Sequence, residues 1–151
     1  MVDHSVAGRA LTPVTAQVEA GRLRFFRETT REQNPVYSDT DAARSAGYNA
    51  VPVPPTYLFC LEMMDARDSF EFLDVLGADL SQVLHGEQRF AYRAPVMVGD
   101  TLRFEPRIGA ITDKKGGAMT LAVVETRVTN QHGVHVADLS RTVVVLNKVA
   151  A

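Results

Sequence analysis

The sequence predicts an α+β fold in which an antiparallel sheet curls around a single apolar helix. The segment from Thr56 to about Ala66 has a helical pattern, and its apolar residues circle the whole axis, with Glu62 the only charge before Asp65. A helix that is apolar all round is expected to be buried on all sides. The second half of the chain contains long alternating stretches that could enclose this helix as strands.

Four strands are predicted in that second half. Apolar and charged residues alternate from Leu102 to Ile108, which is typical of a strand with one buried face. Turns that contain glycine follow at Lys114 to Gly117 and at Asn130 to Gly133. We therefore predict strands over Val83–Tyr92, Thr101–Thr112, Ala118–Thr129 and Val134–Leu146.

In the first half of the chain, the sequence predicts a short extended stretch over residues 11–18, followed by two helices. Residues 19–31 form an amphipathic pattern with Leu23 and Phe26 on one face, and Asn34-Pro35 ends it. Asp39 is a candidate cap for a short helix over residues 40–46. The apolar helix then follows a cluster of three prolines at positions 52, 54 and 55.

Length and composition predict one soluble domain over residues 1–151; its core, at about 11–146, is the part of the chain that carries the resemblance described below. The chain is 46% hydrophobic and 23% charged, which is enough for a packed core. The net charge of -2 gives no general attraction to nucleic acid or anionic membranes. Cys60 is the single cysteine and the histidines lack zinc-ligand spacing. We expect a cytoplasmic protein without a membrane span, a bound metal or a tightly held cofactor.

Three motifs carry a resemblance to a known family. They are Asn34-Pro35-Val36-Tyr37-Ser38-Asp39 with Gly47-Tyr48, then Pro54-Pro55-Thr56 before the apolar helix, and Leu84-His85-Gly86-Glu87-Gln88 followed by Gly99-Asp100-Thr101-Leu102. In this order they resemble the MaoC-like (R)-specific hydratase/dehydratase superfamily over nearly the whole chain. The likeness is to the amino-terminal half of the hydratase unit in peroxisomal multifunctional enzymes, and to accessory subunits of heterodimeric 3-hydroxyacyl-ACP dehydratases.

The resemblance implies a hot-dog fold, in which an antiparallel sheet wraps around a long central helix and two such units pair as a double hot dog. A pairing surface is also indicated by residues 118–129, where alternate positions on both faces are apolar. A strand that is apolar on both faces is normally covered on both. We therefore expect a homodimer, or a heterodimer with a MaoC-like subunit.

The family's catalytic dyad is the point at which this sequence departs from the pattern. The family has an aspartate and a histidine five residues apart, and the resemblance places Glu32 and Tyr37 at those positions, while Asn34 is kept. A hydratase needs one group to take a proton from water and another to deliver a proton to the α carbon. Histidine suits this because its ordinary pKa is about 6.5, whereas that of tyrosine is about 10. The longer Glu32 side chain also displaces its carboxylate, and an error of about 1 Å can cost about a hundredfold in rate.

Two interpretations of this departure remain open. In the favoured one, the chain is the acyl-binding partner of a catalytic subunit that carries an intact dyad. In the other, the chain is active alone and uses Glu32, Tyr37 or His85 in changed roles; with the kept Asn34, these are the candidate catalytic residues. The two are separated by the chemistry of the site and not by the fold.

The start of the apolar helix is the first candidate binding element. Backbone amides near Thr56, Tyr57 and Leu58 lie at a helix N-terminus, where they can receive a thioester oxyanion. Pro55 belongs to the same segment but has no N–H to donate. Alternatively, Thr56 only caps the helix, as any helix start requires.

The strand over residues 83–92 is the second candidate binding element. Because side chains alternate along a strand, His85 and Glu87 are predicted on one face, opposite Leu84 and Phe90. They line an acyl or pantetheine channel, or they hydrogen-bond the loop over residues 34–39. The predicted substrate-binding residues are Pro55, Thr56, Tyr57, Leu58, Gly86, Glu87 and Gln88.

The leading hypothesis is thus a subunit of an (R)-specific enoyl-thioester hydratase or 3-hydroxyacyl-thioester dehydratase, with acyl-CoA or acyl-ACP as its substrate. A non-catalytic hot-dog module that binds acyl-CoA is the alternative, and a thioesterase is a third possibility on fold grounds alone. No nucleic acid or membrane partner is expected.

Overall fold

The computed structural model describes residues 2–147 and contains one antiparallel sheet of five strands. The strand order is β1-β3-β4-β5-β2, so β1 and β2 are the two edges. The four predicted strands are confirmed, with ends that differ by at most two residues. The strands are β1 (Val14–Gln17), β2 (Val83–Tyr92), β3 (Thr101–Lys114), β4 (Met119–Asn130) and β5 (His135–Leu146).

Four α-helices accompany the sheet, and none of the described helices is long and apolar enough to cross a membrane. The Asp39 carboxylate accepts a hydrogen bond from the Ala42 amide at 2.7 Å, so the predicted cap is confirmed. The fourth helix was not predicted, and it buries Phe72, Leu73 and Leu76 against the sheet. The helices are α1 (Ala20–Thr30), α2 (Thr40–Ser45), α3 (Tyr57–Asp65) and α4 (Glu71–Leu76).

Helix α3 is the predicted apolar helix, but it is buried on one side only. Its Leu58 and Leu61 side chains are fully buried in the core with Phe104 of β3. Met64, on another side of the helix, is 49% exposed. The expectation of burial on all sides is therefore wrong for the single chain, because the sheet covers only one face and α1 covers only part of the rest.

Glycine 86 interrupts β2 with a β-bulge. His85 lies opposite Val143 of β5, and Glu87 lies opposite Thr142, so Gly86 is left without a position in the ladder. A bulge of this kind consumes one residue and reverses the alternation beyond it. The prediction that His85 and Glu87 share a face is therefore wrong. His85 points to the same face as Val143, which is buried, and Glu87 points to the outer face.

Replacing Gly86 with alanine is expected to destabilise the protein. An added Cβ would lie 2.9 Å from a methyl carbon of Val144 and 3.3 Å from the Thr142 carbonyl oxygen, and overpacking of this kind costs about 1–3 kcal/mol. Gly21 is the matched control, because a Cβ there would meet nothing within 4 Å. Gly21→Ala in helix α1 should stabilise by about 0.5–1 kcal/mol. Urea unfolding of both variants would show opposite signs, and equal effects would contradict the steric argument.

Candidate active site

A pocket of about 360 Å³ lies at the start of α3. Three tyrosines from three different elements line it. Tyr37 ends a 3-10 helix over Pro35–Tyr37, Tyr48 follows α2, and Tyr92 ends β2. We call this cavity the phenol pocket; its remaining lining residues are Pro52, Val53, Pro55, Arg93, Ala94, Pro95 and Val96.

The turn that presents Tyr37 is held by its own side chains. The Asn34 side-chain oxygen accepts a hydrogen bond from the Val36 amide at 3.1 Å and caps the short helix. The Glu32 carboxylate accepts a hydrogen bond from the Asn34 amide at 2.8 Å. Two of the predicted catalytic residues thus stabilise the loop that carries the third.

Tyr37 occupies the position that the resemblance assigns to the family's histidine, and its environment keeps it protonated. Burial raises the pKa of the Tyr37 phenol, and the negative charges of Glu32 and ionised Tyr48 raise it further. A phenol whose pKa is above its ordinary value of about 10 cannot take a proton at neutral pH. Tyr37 can instead donate a hydrogen bond to an oxygen in the pocket.

Tyr92 connects the edge strand to the start of the helix. Its hydroxyl donates a hydrogen bond to the Pro55 carbonyl at 2.8 Å. Burial raises the pKa of Tyr92 well above its ordinary range, and the nearby Tyr37 adds to this. Sequence reasoning did not select Tyr92. The only signal was an aromatic residue at the end of a predicted strand, which does not reveal that the strand ends beside Pro55.

The helix start offers fewer free amides than predicted. The Tyr57 amide donates to the Pro54 carbonyl at 3.0 Å and is therefore used within the chain. The side chains of Tyr57 and Leu58 are fully buried in the core. Thr56 is exposed and occupies the N-cap position of α3, as the alternative predicted, but its side chain makes no capping hydrogen bond. Of the predicted residues in this segment, Pro55 is the one that lines the pocket.

The predicted site residues at positions 85–88 of β2 lie apart from the phenol pocket, unlike Tyr92 at the end of the same strand. The His85 ring packs edge-to-face on Phe59 of α3, with ring centroids 5.2 Å apart. Glu87 forms an ion pair with Arg89 at 2.9 Å, on the outer face. Gln88 lies opposite Arg141 of β5. The structure therefore separates His85 and Gln88 from the group around Tyr37, and Gly86 packs closely on Val144 of the neighbouring strand.

An apolar groove of about 280 Å³ runs between α1 and the open flank of α3. Phe26 borders the groove and also packs edge-to-face on Tyr57, at 5.1 Å between ring centroids. Burial raises the pKa of the Cys60 thiol, so this cysteine is a neutral wall residue and not a nucleophile. The residues lining what we call the acyl groove are Gly21, Arg22, Phe25, Phe26, Thr29, Cys60 and Met64.

A larger depression of about 970 Å³ lies on the outer face of the sheet, but most of its charges are paired. Arg107 forms an ion pair with Glu125 at 2.7 Å, and Arg93 forms one with Asp138 at 2.6 Å. Such a surface is typical of a solvated face. Within residues 2–147, no group of three or more histidine, cysteine, aspartate or glutamate side chains is placed to hold a metal ion.

Known proteins with similar sequences cover most of this chain. Residues 5–139 match the model of the FAS1-like dehydratase domain region. A UPF0336 protein of Streptomyces coelicolor is 36% identical over 137 residues, covering 89% of each chain. Another UPF0336 protein, from Saccharopolyspora erythraea, is 33% identical over 144 residues, covering 95% of this chain and 90% of its own.

Solved structures show the same fold at lower identity. The truncated HadBC (3R-hydroxyacyl-ACP dehydratase) complex of Mycobacterium tuberculosis gives a TM-score of 0.76 at 23% identity, covering 91% of this chain and 96% of that chain. A MaoC-like dehydratase gives 0.83 at 23% identity, covering 96% of this chain and 43% of that longer chain. The ChsH1-ChsH2 complex of Mycobacterium tuberculosis gives a TM-score of 0.72 at 18% identity, covering 95% of this chain and 87% of that chain. The predicted hot-dog fold is confirmed.

Proposed function

The chain belongs to the family of FAS1-like dehydratase domain regions, and on that premise we propose that it is the acyl-binding subunit of an (R)-specific enoyl-thioester hydratase or 3-hydroxyacyl-thioester dehydratase. The reaction is the reversible addition of water to a 2-enoyl thioester. The observation that carries the proposal is the phenol pocket, where a protonated Tyr37 stands at the place of the family's histidine.

The chemistry of the pocket supports binding in preference to proton transfer. Hydration requires a group that removes a proton from water near pH 7, and Tyr37, whose pKa is raised by burial, is poorly suited to be that group. One carboxylate oxygen of Glu32 already accepts a hydrogen bond from the Asn34 amide, two residues along the chain. The pocket can therefore orient a thioester while the general base comes from another subunit.

The acyl groove supports the same role. A fatty chain gains about 0.8 kcal/mol for each methylene that it buries, so it needs an apolar surface that is open in the free protein. The groove supplies one through Phe25, which is 70% exposed, and Met64, which is 49% exposed. Phe25 belongs to α1 and Met64 belongs to α3, the helix that follows the wall of the phenol pocket at residues 52–55.

A second hot-dog subunit is proposed to pair along β2. This strand is the last in the sheet and leaves one row of backbone groups without a partner strand in the described structure. Near the start of β2 the outer face is apolar, with Leu84 57% exposed and Leu146 44% exposed. Leu121 and Val144 complete this patch and are half-buried. Residues 2–147 thus supply no cover over this part of the second face of β4, and we propose that it comes from the partner subunit.

The proposal is tested by assaying hydration of crotonyl-CoA and of a longer 2-enoyl-CoA. The chain alone should turn over slowly. Adding a MaoC-like subunit of the same organism that carries an intact aspartate-histidine dyad should raise the rate by at least about tenfold, since a positioned acid or base contributes about 10²–10⁴. Substantial turnover by the chain alone, lost in Glu32→Gln or Tyr37→Phe, would instead establish activity through its own residues.

The same assay separates the remaining alternatives. A non-catalytic acyl-CoA module would bind a saturated acyl-CoA but give no hydration with any dyad-bearing subunit. A thioesterase would release free thiol from the same substrate. Release of thiol at the rate of hydration or faster would overturn the assignment to hydration.

A further inference from the structure

We propose that Arg22, held by its ion pair with Asp65, closes one end of the acyl groove and so limits the length of the acyl chain that this subunit binds. The inference rests on the proposed function, because it presupposes that a fatty chain occupies the groove. It adds the class of substrate, which is an acyl thioester of up to about ten carbons.

The acyl groove lies between two antiparallel helices. Arg22, near the start of α1, contacts Asp65 at the end of α3. Phe26, one turn further along α1, packs instead on Tyr57 at the start of α3. The later part of α1 is therefore nearest to the start of α3, which follows the wall of the phenol pocket at residues 52–55. Arg22 marks the opposite end of the groove, far from that pocket.

This far end is closed by a charged pair that is fixed in place. Both terminal guanidinium nitrogens of Arg22 donate hydrogen bonds to the Asp65 carboxylate, one to each oxygen, and the longer of the two is 3.2 Å. The side chains of Arg22 and Asp65 are only 30% and 25% exposed. A contact through two nitrogens holds the guanidinium in one orientation. An acyl methyl group that reached this pair would desolvate it without offering a hydrogen bond in return, which is unfavourable.

The length of the groove sets the expected limit. Its lining residues on α1 run from Gly21 to Thr29, and this part of the helix spans about 12 Å at about 1.5 Å per residue. An extended chain advances about 3.5 Å for every three bonds, so about ten bonds fill this length. Further methylenes would lie at or beyond the ion pair of Arg22. They would not gain the burial that the apolar walls at Phe25 and Met64 give to the earlier ones.

The test measures how the affinity of the full chain for saturated acyl-CoAs depends on chain length. Octanoyl-, decanoyl-, dodecanoyl- and tetradecanoyl-CoA are titrated below the concentrations at which they form micelles. Saturated chains cannot be hydrated, so binding is separated from turnover. For wild type, affinity should rise by up to about fourfold for each methylene as far as about ten carbons, and by less than about twofold in total beyond that length.

Two substitutions should move this limit and a third should not. Arg22→Ala opens the far end, so dodecanoyl-CoA should bind about tenfold more tightly than decanoyl-CoA. Asp65→Asn keeps the shape of that side chain but removes the charge that holds Arg22, so it should move the limit in the same direction by a smaller amount. Arg24→Ala is the matched control, because Arg24 lies on α1 outside the groove and its side chain is 74% exposed.

The outcomes separate this inference from the proposed function. If affinity keeps rising through fourteen carbons in wild type, or if neither Arg22→Ala nor Asp65→Asn moves the limit, the acyl-binding role stands and the closure by Arg22 is overturned. An equal shift in Arg24→Ala would also overturn it. If no acyl-CoA binds, the acyl-binding role itself fails. Asp65→Asn decides the question should Arg22→Ala fail to fold, as judged by circular dichroism.

Discussion

Arg141→Met is expected to lower the free energy of unfolding by about 3 kcal/mol at neutral pH, the lower end of the range for removing one partner of a buried charge pair. Arg141 of β5 is 9% exposed and Glu62 of α3 is 5% exposed. The Glu62 carboxylate accepts a hydrogen bond from Thr126 at 3.0 Å, and the Arg141 guanidinium lies 4.6 Å from the Phe72 ring centroid. Among residues 2–147 the two form no direct ion pair, which is why the lower end applies.

The effect of this substitution should grow with pH. Burial raises the pKa of Glu62 above its ordinary value of 4.5, and the charge of Arg141 opposes that rise. A carboxyl whose pKa is raised in the folded state favours folding below its unfolded pKa, and this contribution is lost as pH rises through the folded pKa. Without Arg141 the pKa of Glu62 rises further. The destabilisation by Arg141→Met should therefore be small below pH 4.5 and large at pH 7 and above.

Urea unfolding of wild type and Arg141→Met at several pH values measures this directly. The double variant Glu62→Leu/Arg141→Met is the control, because it removes both buried charges. It should be close to wild type or more stable, and its difference from wild type should vary little with pH. A destabilisation by Arg141→Met that does not change between pH 4.5 and pH 8 would contradict the role assigned to Glu62.

Leu61→Ala and Met64→Ala are expected to differ sharply although they lie three residues apart on α3. Leu61 is fully buried in the core, whereas Met64 is 49% exposed. Truncation of a buried leucine costs about 2–5 kcal/mol, because the transfer free energy is lost and a cavity remains. Truncation at the exposed position should change stability by less than about 0.5 kcal/mol.

Thermal unfolding of the two variants, checked by urea titration, decides whether the helix is enclosed on one side or on all sides. If both positions cost several kcal/mol in the isolated chain, the flank at Met64 is covered in solution. Repeating the measurement with octanoyl-CoA, whose acyl chain is proposed to lie in the acyl groove, adds a functional readout. Met64→Ala should then reduce the stabilisation that the ligand gives, since Met64 lines the acyl groove.

The sheet could be predicted from the sequence because apolar and polar residues alternate along a strand that is buried on one face. Leu102, Phe104 and Ile108 are all fully buried, as the pattern on β3 required. Helix α4 could not be predicted in the same way. It has six residues, fewer than two turns, so a helical period has too little length in which to appear.

The candidate site was predicted in part. The family motif located Tyr37 and Pro55, which both line the phenol pocket. Tyr92 comes from a strand that lies 37 residues from Pro55 in the chain, and only the tertiary fold brings them together. The predicted shared face of His85 and Glu87 was wrong because regular alternation was assumed through Gly86, whereas a bulge between His85 and Glu87 shifts the register.

The hydrogen bond from Tyr92 to Pro55 has a consequence for assembly. Tyr92 ends the strand along which a second subunit is proposed to add, and Pro55 belongs to the wall of the cavity that is proposed to orient the thioester. If pairing displaces Tyr92, this hydrogen bond would move the Pro55 carbonyl and with it the wall of the cavity. Oligomerisation and ligand affinity are then reciprocally linked: whatever factor the partner imposes on affinity for the ligand, the ligand must impose on affinity for the partner.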